Sequence, residues 1–154
     1  MKRGAEDVRR FLRERKVEAE IRELSESTRT SRMAAEALGC DIAQIAKSIV
    51  FIDGDATVVV VSGDKRVDEG KLSNLIGRKV YLADAEDVRR YTGYVIGGVP
   101  PFPHGEGVRV LLDSSLKRFE HVWTAAGTPN SVFKIRVEDL KAILNTDFVD
   151  VSRG

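Results

Sequence analysis

One lysine stands where a helical sequence pattern gives way to a strand pattern. Lys47 lies inside the stretch 44–52, which reads QIAKSIVFI and ends in β-branched and apolar residues, the pattern of a buried strand. Burying an unpaired ammonium is costly. This side chain must therefore reach water at a strand edge, pair with a carboxylate, or point into a cleft that receives an anionic or carbonyl-bearing ligand. From this stretch alone, a solvated edge position and a functional role both remain open.

Two adjacent glycines, Gly97 and Gly98, are the second candidate for chemistry. A short strand is predicted at 94–96, and three prolines follow the glycines within the stretch 100–103 and stiffen the backbone. Glycine lets a backbone approach a ligand closely, and its N–H group can donate to a carbonyl oxygen or a developing oxyanion. A tight turn explains the same residues equally well, so both interpretations stay open.

The common catalytic and metal-binding motifs are absent from the sequence. The two histidines, His104 and His121, lack a metal-ligand spacing, and the single cysteine, Cys40, excludes an internal disulfide or a cysteine cluster. No nucleophile elbow, Walker A loop or dinucleotide-binding glycine motif occurs. We therefore expect no metal and no cofactor. An enzyme with this sequence would position its substrate with Lys47 and backbone donors, and water or a substrate hydroxyl would do the chemistry.

The composition is that of a globular protein. The chain has 154 residues, of which 42% are hydrophobic and 32% charged, so we expect one domain over 1–154. The net charge of +1 gives no global basic field for nucleic acid, and any such contact must be local. No apolar run reaches membrane-spanning length, so we expect a cytoplasmic protein without membrane contact.

The predicted elements alternate between short helices and short strands. Apolar residues on one face predict a helix at about 5–24, and a polar segment at 25–29 follows it. Thr30 or Ser31 can cap the next helix. Further helices are predicted at 32–38, 68–74, 84–91 and 137–144, and strands at 57–62, 80–82, 108–112, 131–135 and 148–151. Hairpins together with crossovers predict a mixed sheet in an α/β or α+β domain.

Five segments, taken in chain order, resemble one known family. They read AAEALGCDIAQIAKSIVF, VVVVSGDKRVD, YTGYVIGGVPPF, AAGTPNSVFKI and EDLKAI. The set resembles the YbaK and prolyl-tRNA-synthetase-associated domains over roughly residues 28–151. The resemblance implies a mixed, partly barrel-like sheet flanked by helices. It also implies hydrolysis of the ester that joins a mischarged amino acid to tRNA.

The resemblance also implies a set of site residues. In the family, the lysine matching Lys47 lines the pocket and is needed for activity. The glycines matching Gly97 and Gly98, with Pro100 after them, form the pocket wall, and a later small-residue loop matches Ala126–Gly127. We therefore expect Lys47 and Gly98 to be catalytic. The predicted substrate-binding residues are Thr30, Ser48, Gly97, Pro100, Ala126 and Gly127.

One departure from the family pattern concerns the substrate. Family members that clear cysteine from proline tRNA continue the small-residue loop with Gly-Leu-Asp, whereas these positions here read about Asn130-Ser131-Val132 and lack the aspartate. The resemblance therefore implies a trans-editing aminoacyl-tRNA deacylase whose amino acid is undetermined. A non-catalytic module that binds tRNA or a synthetase is the alternative, and an unrelated small-molecule hydrolase is a third possibility.

The expected partners are aminoacyl-tRNA and an aminoacyl-tRNA synthetase, and the protein is expected to be a monomer or a homodimer. Contacts with tRNA phosphates are predicted at a local basic rim, although each residue alone is an ordinary surface charge. The rim consists of Lys65, Arg66, Lys71, Arg78 and Lys79. Further candidates for phosphate contact are Arg9, Arg10, Arg13 and Arg32.

Overall fold

The computed structural model of the protein describes residues 1–25 and 30–154. The described residues form five α-helices: α1 (Ala5–Glu14), α2 (Ser31–Leu38), α3 (Glu69–Ile76), α4 (Ala85–Thr92) and α5 (Val137–Leu144). The strands are β1 (Ile21–Glu23), β2 (Ile45–Ile52), β3 (Ala56–Ser62), β4 (Arg66–Val67), β5 (Tyr81–Leu82), β6 (Val108–Asp113), β7 (His121–Ala125), β8 (Ser131–Arg136), β9 (Phe148–Val149) and β10 (Ser152–Arg153). Short 3-10 helices lie at Ile42–Gln44 and Ser114–Arg118.

Eight of these strands form one mixed sheet. Its order is β1-β8-β7-β2-β3-β6-β9, and β5 joins β2 beside this path. The β2–β3 and β7–β8 pairs are antiparallel, whereas β2–β7 and β3–β6 are parallel. The prediction of a mixed sheet flanked by helices is confirmed, and β4 and β10 form a separate small sheet.

Strand β3 is buried on both faces, as its TVVVVS sequence indicates. Val58 and Val60 pack into a core cluster with Val8 of α1, while Val59 and Val61 pack into a second cluster on the opposite face. The sheet therefore carries one core on each side, and β2 and β3 lie between them.

Several predicted helix ends are confirmed by their caps. The Thr30 hydroxyl accepts a hydrogen bond from the Met33 N–H group, and α2 ends at Gly39 with a φ of +68°. Asp68 and Asp84 cap α3 and α4 in the same way. These local signals place the starts of α2, α3 and α4 correctly.

The predicted helix at 5–24 is wrong beyond Glu14. The chain leaves the helix at Arg15, Lys16 adopts a left-handed φ of +56°, and Ile21–Glu23 pairs with β8 as strand β1. Val17 and Ile21 still pack against the core, so the apolar positions were identified but their secondary structure was not. Pairing with the edge of β8 overrides the local helical preference. Residues 26–29 of the predicted polar segment lie outside the described residues.

The predicted strand at 94–96 is also wrong. This segment forms a turn, in which Gly97 has a φ of +86° and the Gly98 N–H group donates to the Val95 carbonyl at 3.0 Å. Paired glycines that permit a positive φ favour a turn here over an extended strand end. The predicted strand at 148–151 is too long, because β9 ends at Val149 and residues 150–151 are not in a strand. The next two residues form β10, which pairs with β4 rather than with the main sheet.

Candidate active site

A gap in the main sheet lies beside the middle of β2. On the side away from β3, β2 pairs with β7 only at Ile45 and Ala46, and with β5 only at Phe51 and Ile52. Within the described residues, no strand lies beside 47–50 on this side. We call this interval the sheet gap. It leaves backbone groups of a central strand without ladder partners.

The hydrogen-bond pattern of β2 shows which backbone groups face the sheet gap. Residues of an antiparallel pair alternate between bonding to the partner strand and facing away from it. The Ile45 carbonyl accepts from Gly63 beyond the end of β3, at 2.7 Å, whereas the Val50 carbonyl accepts from Ala83 on the other side, at 2.9 Å. This phase directs the N–H and C=O groups of Ser48 toward the sheet gap.

A cavity of about 560 Å³ opens at the sheet gap. Its floor is β2 from Ile45 to Ile49, and β7 contributes Trp123 and Thr124. Other walls come from the start of α2 and from the turn that contains Ile96 and Gly97. Four separate parts of the chain therefore meet around Lys47, and the apolar lining with a few polar groups is typical of a small-ligand site.

Lys47 is half-buried in this cavity. Burial lowers the pKa of the Lys47 ammonium, the nearby Arg66 cation lowers it further, and the Asp64 carboxylate acts in the opposite direction. Among the described residues, Lys47 makes no ion pair. Asp64 instead holds Arg118 through two hydrogen bonds of 2.7 and 3.0 Å, and this contact lowers the Asp64 pKa to about 2. The cavity thus contains a cation whose charge is only distantly compensated.

Two buried hydroxyl groups line the same cavity without using their hydrogen-bonding capacity. Ser48 Oγ and Thr124 Oγ1 have no hydrogen-bond partner among the described residues, and Thr124 is only 1% exposed. A buried polar atom without a partner costs free energy unless a ligand or water satisfies it. The two hydroxyls are therefore unsatisfied polar groups within the cavity wall.

The structure brings four of the predicted site residues to this cavity. Lys47, Ser48, Thr30 and Gly97 all line it, and Arg32 joins them from the first turn of α2. The side chain of Thr30 also caps α2, so the same residue fixes the helix whose N-terminus closes one wall. These residues come from three separate elements that sequence reasoning could not position relative to one another.

Gly98 lies beside the cavity lining rather than in it. Its N–H group is engaged with the Val95 carbonyl, so the amide that the sequence assigned to an oxyanion is already used. A Cβ atom on Gly98 would lie 2.7 Å from the Thr128 carbonyl carbon. Any side chain at position 98 would therefore collide with the loop that follows β7, and this close approach explains the glycine.

The remaining predicted residues, Pro100, Ala126 and Gly127, also lie outside the cavity lining. The Pro100 carbonyl accepts from His104 Nε2 at 2.8 Å, and Ala126 is fully buried in the core. Gly127 has a φ of +100°, and a Cβ atom there would meet the Gly4 backbone at 2.6 Å. These residues support the cavity wall by packing.

The loop that lacks the family aspartate is held together without a carboxylate. Thr128 Oγ1 lies 2.6 Å from Ser131 Oγ and donates to Asn130 Oδ1 at 3.0 Å, while Asn130 Nδ2 donates to the Leu24 carbonyl at 3.3 Å. Val132, which follows them, lines the cavity. At this place the cavity therefore presents an apolar side chain.

Sequence reasoning missed Thr124 and Trp123 as site residues. Thr124 follows Val122 on the core face of β7, and a polar residue among inward-facing apolar ones is an informative signal. The sequence HVWTA contains that signal, because Thr124 alternates with Val122 while Trp123 lies on the other face.

The described residues contain no group of three His, Cys, Asp or Glu side chains arranged to hold a metal ion. Among the helices within this part of the chain, none is long and apolar enough to cross a membrane.

Fold and cavity together define an α+β domain with a small-ligand pocket at a gap in its mixed sheet. The chain belongs to the aminoacyl-tRNA editing domain family, whose sequence model matches residues 25–143. The resemblance noted from the sequence is thus confirmed.

Individual relatives agree with this assignment. The chain is 36% identical over 125 residues to the uncharacterized protein YwhH of Bacillus subtilis, covering 80% of each protein. It is 32% identical over 107 residues to the proline--tRNA ligase of Lactobacillus acidophilus, covering 68% of this chain and 19% of the ligase. The chain therefore spans about a fifth of the length of that ligase.

Solved structures share the whole fold. One of them, named as a proposed trans-editing enzyme for prolyl tRNA synthetase, superimposes with a TM-score of 0.89 at 38% identity and covers 97% of both chains. The mixed sheet and its flanking helices are therefore the fold of that neighbour.

Proposed function

We propose that the protein hydrolyses the ester between a mischarged amino acid and tRNA, acting on the tRNA in trans. The observation that carries this proposal is the half-buried Lys47 ammonium, which shares one cavity with the free backbone edge of Ser48 and with Gly97. The family supports a role in aminoacyl-tRNA editing. The geometry supports catalysis within this cavity.

The substrate offers groups that match the polar atoms of the cavity. An aminoacyl ester carries a carbonyl, an α-ammonium and a vicinal ribose hydroxyl next to anionic phosphates. Lys47 is the positioned cation for the ester carbonyl, the ribose hydroxyl or the terminal phosphate. The hydroxyls of Ser48 and Thr124 are covered within the cavity wall and lack partners, and rotation of either side chain would bring it to the remaining polar groups. The apolar lining receives the amino-acid side chain.

The backbone N–H group of Ser48 takes the role of oxyanion donor that the sequence assigned to Gly98. It faces the sheet gap, whereas the Gly98 N–H group is committed to Val95. Donors that are fixed before the reaction stabilise developing charge without reorganising, and one such donor contributes about 10²–10³ in rate. A donor fixed in the central strand of a sheet is well suited to that task.

The reaction follows from these positions. Water adds to the ester carbonyl carbon and loses a proton, which the vicinal ribose hydroxyl can relay. The tetrahedral oxyanion is stabilised by Ser48 N–H and by the charge of Lys47. The bond between the acyl carbon and the ribose oxygen then breaks, and the ribose oxygen takes up a proton. The products are the free amino acid and tRNA with an intact terminal ribose, and no protein nucleophile is consumed.

Cavity size sets the choice of amino acid. An apolar pocket discriminates by only about 1–3 kcal/mol per methylene, so it excludes larger side chains better than it rejects smaller ones. An editing site uses this asymmetry, because the correct amino acid must be kept out. Val132 and the side chains of Ile45 and Val99 are the apolar boundary that would make this selection.

A panel of mischarged tRNAs tests the proposal. Each is incubated with the wild type, with Lys47→Ala and with Lys117→Ala, whose exposed lysine lies outside the cavity lining. We expect hydrolysis of at least one aminoacyl-tRNA by the wild type and by Lys117→Ala, and little by Lys47→Ala. Binding of tRNA without hydrolysis of any member would instead indicate a binding module, and hydrolysis of free amino-acid esters alone would indicate a small-molecule hydrolase.

A further inference from the structure

A second concave surface, the outer groove, adjoins the candidate active site. It has a volume of about 780 Å³ and lies on the outer face of β1, β8 and β7, between the segment 15–20 and α5. His121 pairs with Arg136 and Trp123 with Lys134 across the two strands, while the intervening Val122 belongs to the core. Because side chains alternate along a strand, the side chains of these two cross-strand pairs share the outer face of the sheet.

The outer groove is locally basic, although the whole chain is nearly neutral. Its cationic side chains are Arg15, Lys16, Arg22, Lys134 and Arg136. They face three carboxylates, those of Glu18, Glu20 and Asp139. A net charge of +1 for the chain conceals this concentration. A local cluster of this kind attracts an anionic ligand even when the global field is weak.

Two of these cations are free of carboxylate partners and lie over an aromatic ring. The Arg22 guanidinium carbon is 5.0 Å and the Lys134 Nζ atom 6.0 Å from the centroid of the Trp123 ring. Among the described residues neither makes an ion pair, whereas Arg136 pairs with Glu138 at 2.9 Å. Proteins hold single-stranded nucleic acid with aromatic rings that stack on bases and with cations that neutralise phosphates. A base that stacks on Trp123 would take the place of a cation over the ring and leave that cation for a phosphate.

Trp123 also connects the outer groove to the cavity, because it lines both. A nucleotide chain whose terminal ribose carries an ester inside the cavity must leave the cavity through an adjoining surface. The outer groove is such a surface, and its charge has the sign that phosphates require.

We propose that the outer groove binds the single-stranded end of the tRNA that precedes the aminoacylated nucleotide, with a base stacked on Trp123 and phosphates held by Arg22 and Lys134. This inference rests on the proposed function for the identity of the ligand. It moves the main phosphate contacts away from the rim predicted by the sequence. In that rim, Lys71 Nζ is engaged with Asp150 at 3.2 Å and with the Ser152 carbonyl at 2.8 Å.

The test measures the affinity of uncharged tRNA over a series of salt concentrations. The wild type is compared with Arg22→Ala/Lys134→Ala and with a charge-matched control, Arg89→Ala/Arg90→Ala, on the exposed face of α4. We expect weaker binding by the groove variant only. We also expect the slope of log affinity against log salt to become shallower by about 1.4, because each phosphate contact on a single strand contributes about 0.7.

The stacking contact has its own readout, because Trp123 is the only tryptophan in the chain. A short single-stranded RNA should quench the intrinsic tryptophan fluorescence of the wild type. The Trp123→Phe variant should bind that RNA more tightly than Trp123→Ala. Circular dichroism establishes that each variant is folded.

The proposal is overturned if the groove variant keeps the tRNA affinity and the salt slope of the wild type. It is also overturned if Lys65→Ala/Lys79→Ala weakens tRNA binding and the groove variant does not. Equal binding of polyglutamate and tRNA by the wild type would assign the groove to acidic protein ligands and also overturn it. These binding results are independent of turnover. If the wild type hydrolyses no aminoacyl-tRNA, the proposed function is refuted. If the groove variant still binds tRNA more weakly than the wild type in that case, the groove assignment stands.

Discussion

At the scale of single residues, Lys47 contributes a side-chain ammonium to the cavity, whereas Ser48 contributes a backbone N–H group. Lys47 bonds through its backbone to β3, so its side chain is anchored on a central strand. Ser48 has the opposite phase and turns its N–H group toward the sheet gap. Two consecutive residues can serve one site in these different ways because strand hydrogen bonds alternate in direction.

The pH dependence of the deacylation rate tests the cationic role of Lys47. Burial lowers the pKa of its ammonium below the ordinary value of 10.5, so the charge is lost at a lower pH than on an exposed lysine. We expect the catalysed rate, after subtraction of spontaneous ester hydrolysis, to fall as the pH rises through this lowered pKa. In Lys47→Arg the residual rate should show no such fall, because a guanidinium stays charged. The same alkaline decline in both proteins would contradict a cationic role.

His104 is buried beside the Pro100 carbonyl and makes stability dependent on pH. Burial lowers its pKa from 6.5 to about 4, and its Nε2–H group donates to the Pro100 carbonyl, so the folded protein keeps the imidazole neutral. Between pH 6.5 and 4, the unfolded chain binds more protons than the folded one. The free energy of unfolding therefore decreases as the pH is lowered through this range. The loss attributable to His104 approaches about 3 kcal/mol below pH 4.

Urea unfolding at a series of pH values measures this contribution. The variant His104→Gln keeps a donor for the Pro100 carbonyl and should lose less stability than the wild type between pH 6.5 and 4. His121→Gln, which changes the other histidine of the chain, is the control. Parallel stability curves for the wild type and His104→Gln would show that the buried imidazole is not responsible.

At the scale of elements, the cavity wall depends on three backbone segments that approach one another closely at glycine residues, which have no side chain. The turn at 97–98 contacts the loop after β7 at Thr128, and Gly127 of that loop contacts the start of α1 at Gly4. Phe11 of α1 also stacks on Phe102, with ring centroids 4.7 Å apart. Helix α1 therefore supports the turn that lines the cavity, although it contributes no residue to the lining.

The variant Gly98→Ala tests this support. Its Cβ atom would lie 2.7 Å from the Thr128 backbone, so one of the two segments must move. We expect destabilisation of about 1–3 kcal/mol, as for other overpacked sites, and reduced deacylation because Gly97 and Val99 of the same turn line the cavity. Gly107→Ala is the matched control, because a Cβ atom there meets no atom within 4 Å. Equal stability and activity in the two variants would show that the close approach is unimportant.

At the scale of the whole molecule, the site is assembled from parts that are far apart in the sequence. Lys47 of β2, Arg32 of α2, Gly97 of the turn and Thr124 of β7 meet at one cavity. The parallel pairing of β2 with β7 stops at Ala46 and Thr124, and this early end of the ladder creates the sheet gap. A longer β7 ladder would fill the place that the substrate is proposed to occupy.

The sequence predicted the elements whose signals are local. Helix α5 is predicted at 137–144, where the acids come early and Lys141 late, and the predicted starts of α3 and α4 coincide with the aspartate caps Asp68 and Asp84. The end of α1 and the turn at 94–97 were missed, because strand pairing and a positive φ at Gly97 decide them. Lys47 was identified because a charge within an apolar run is anomalous, whereas the role of Ser48 depends on a ladder register that a sequence does not show.

The single-turnover rate of deacylation by Lys47→Ala, measured beside the affinity of the same variant for tRNA, tests the central claim most directly. The substrate is the aminoacyl-tRNA that the wild type hydrolyses, with enzyme in excess, and Lys117→Ala is the control. We predict a rate at least about 10²-fold below the wild type, the size of effect seen when one group that stabilises an oxyanion is removed, with tRNA affinity changed only slightly. A wild-type rate in Lys47→Ala would contradict the account, because the ester would then be cleaved without the one cation that the cavity holds on its central strand.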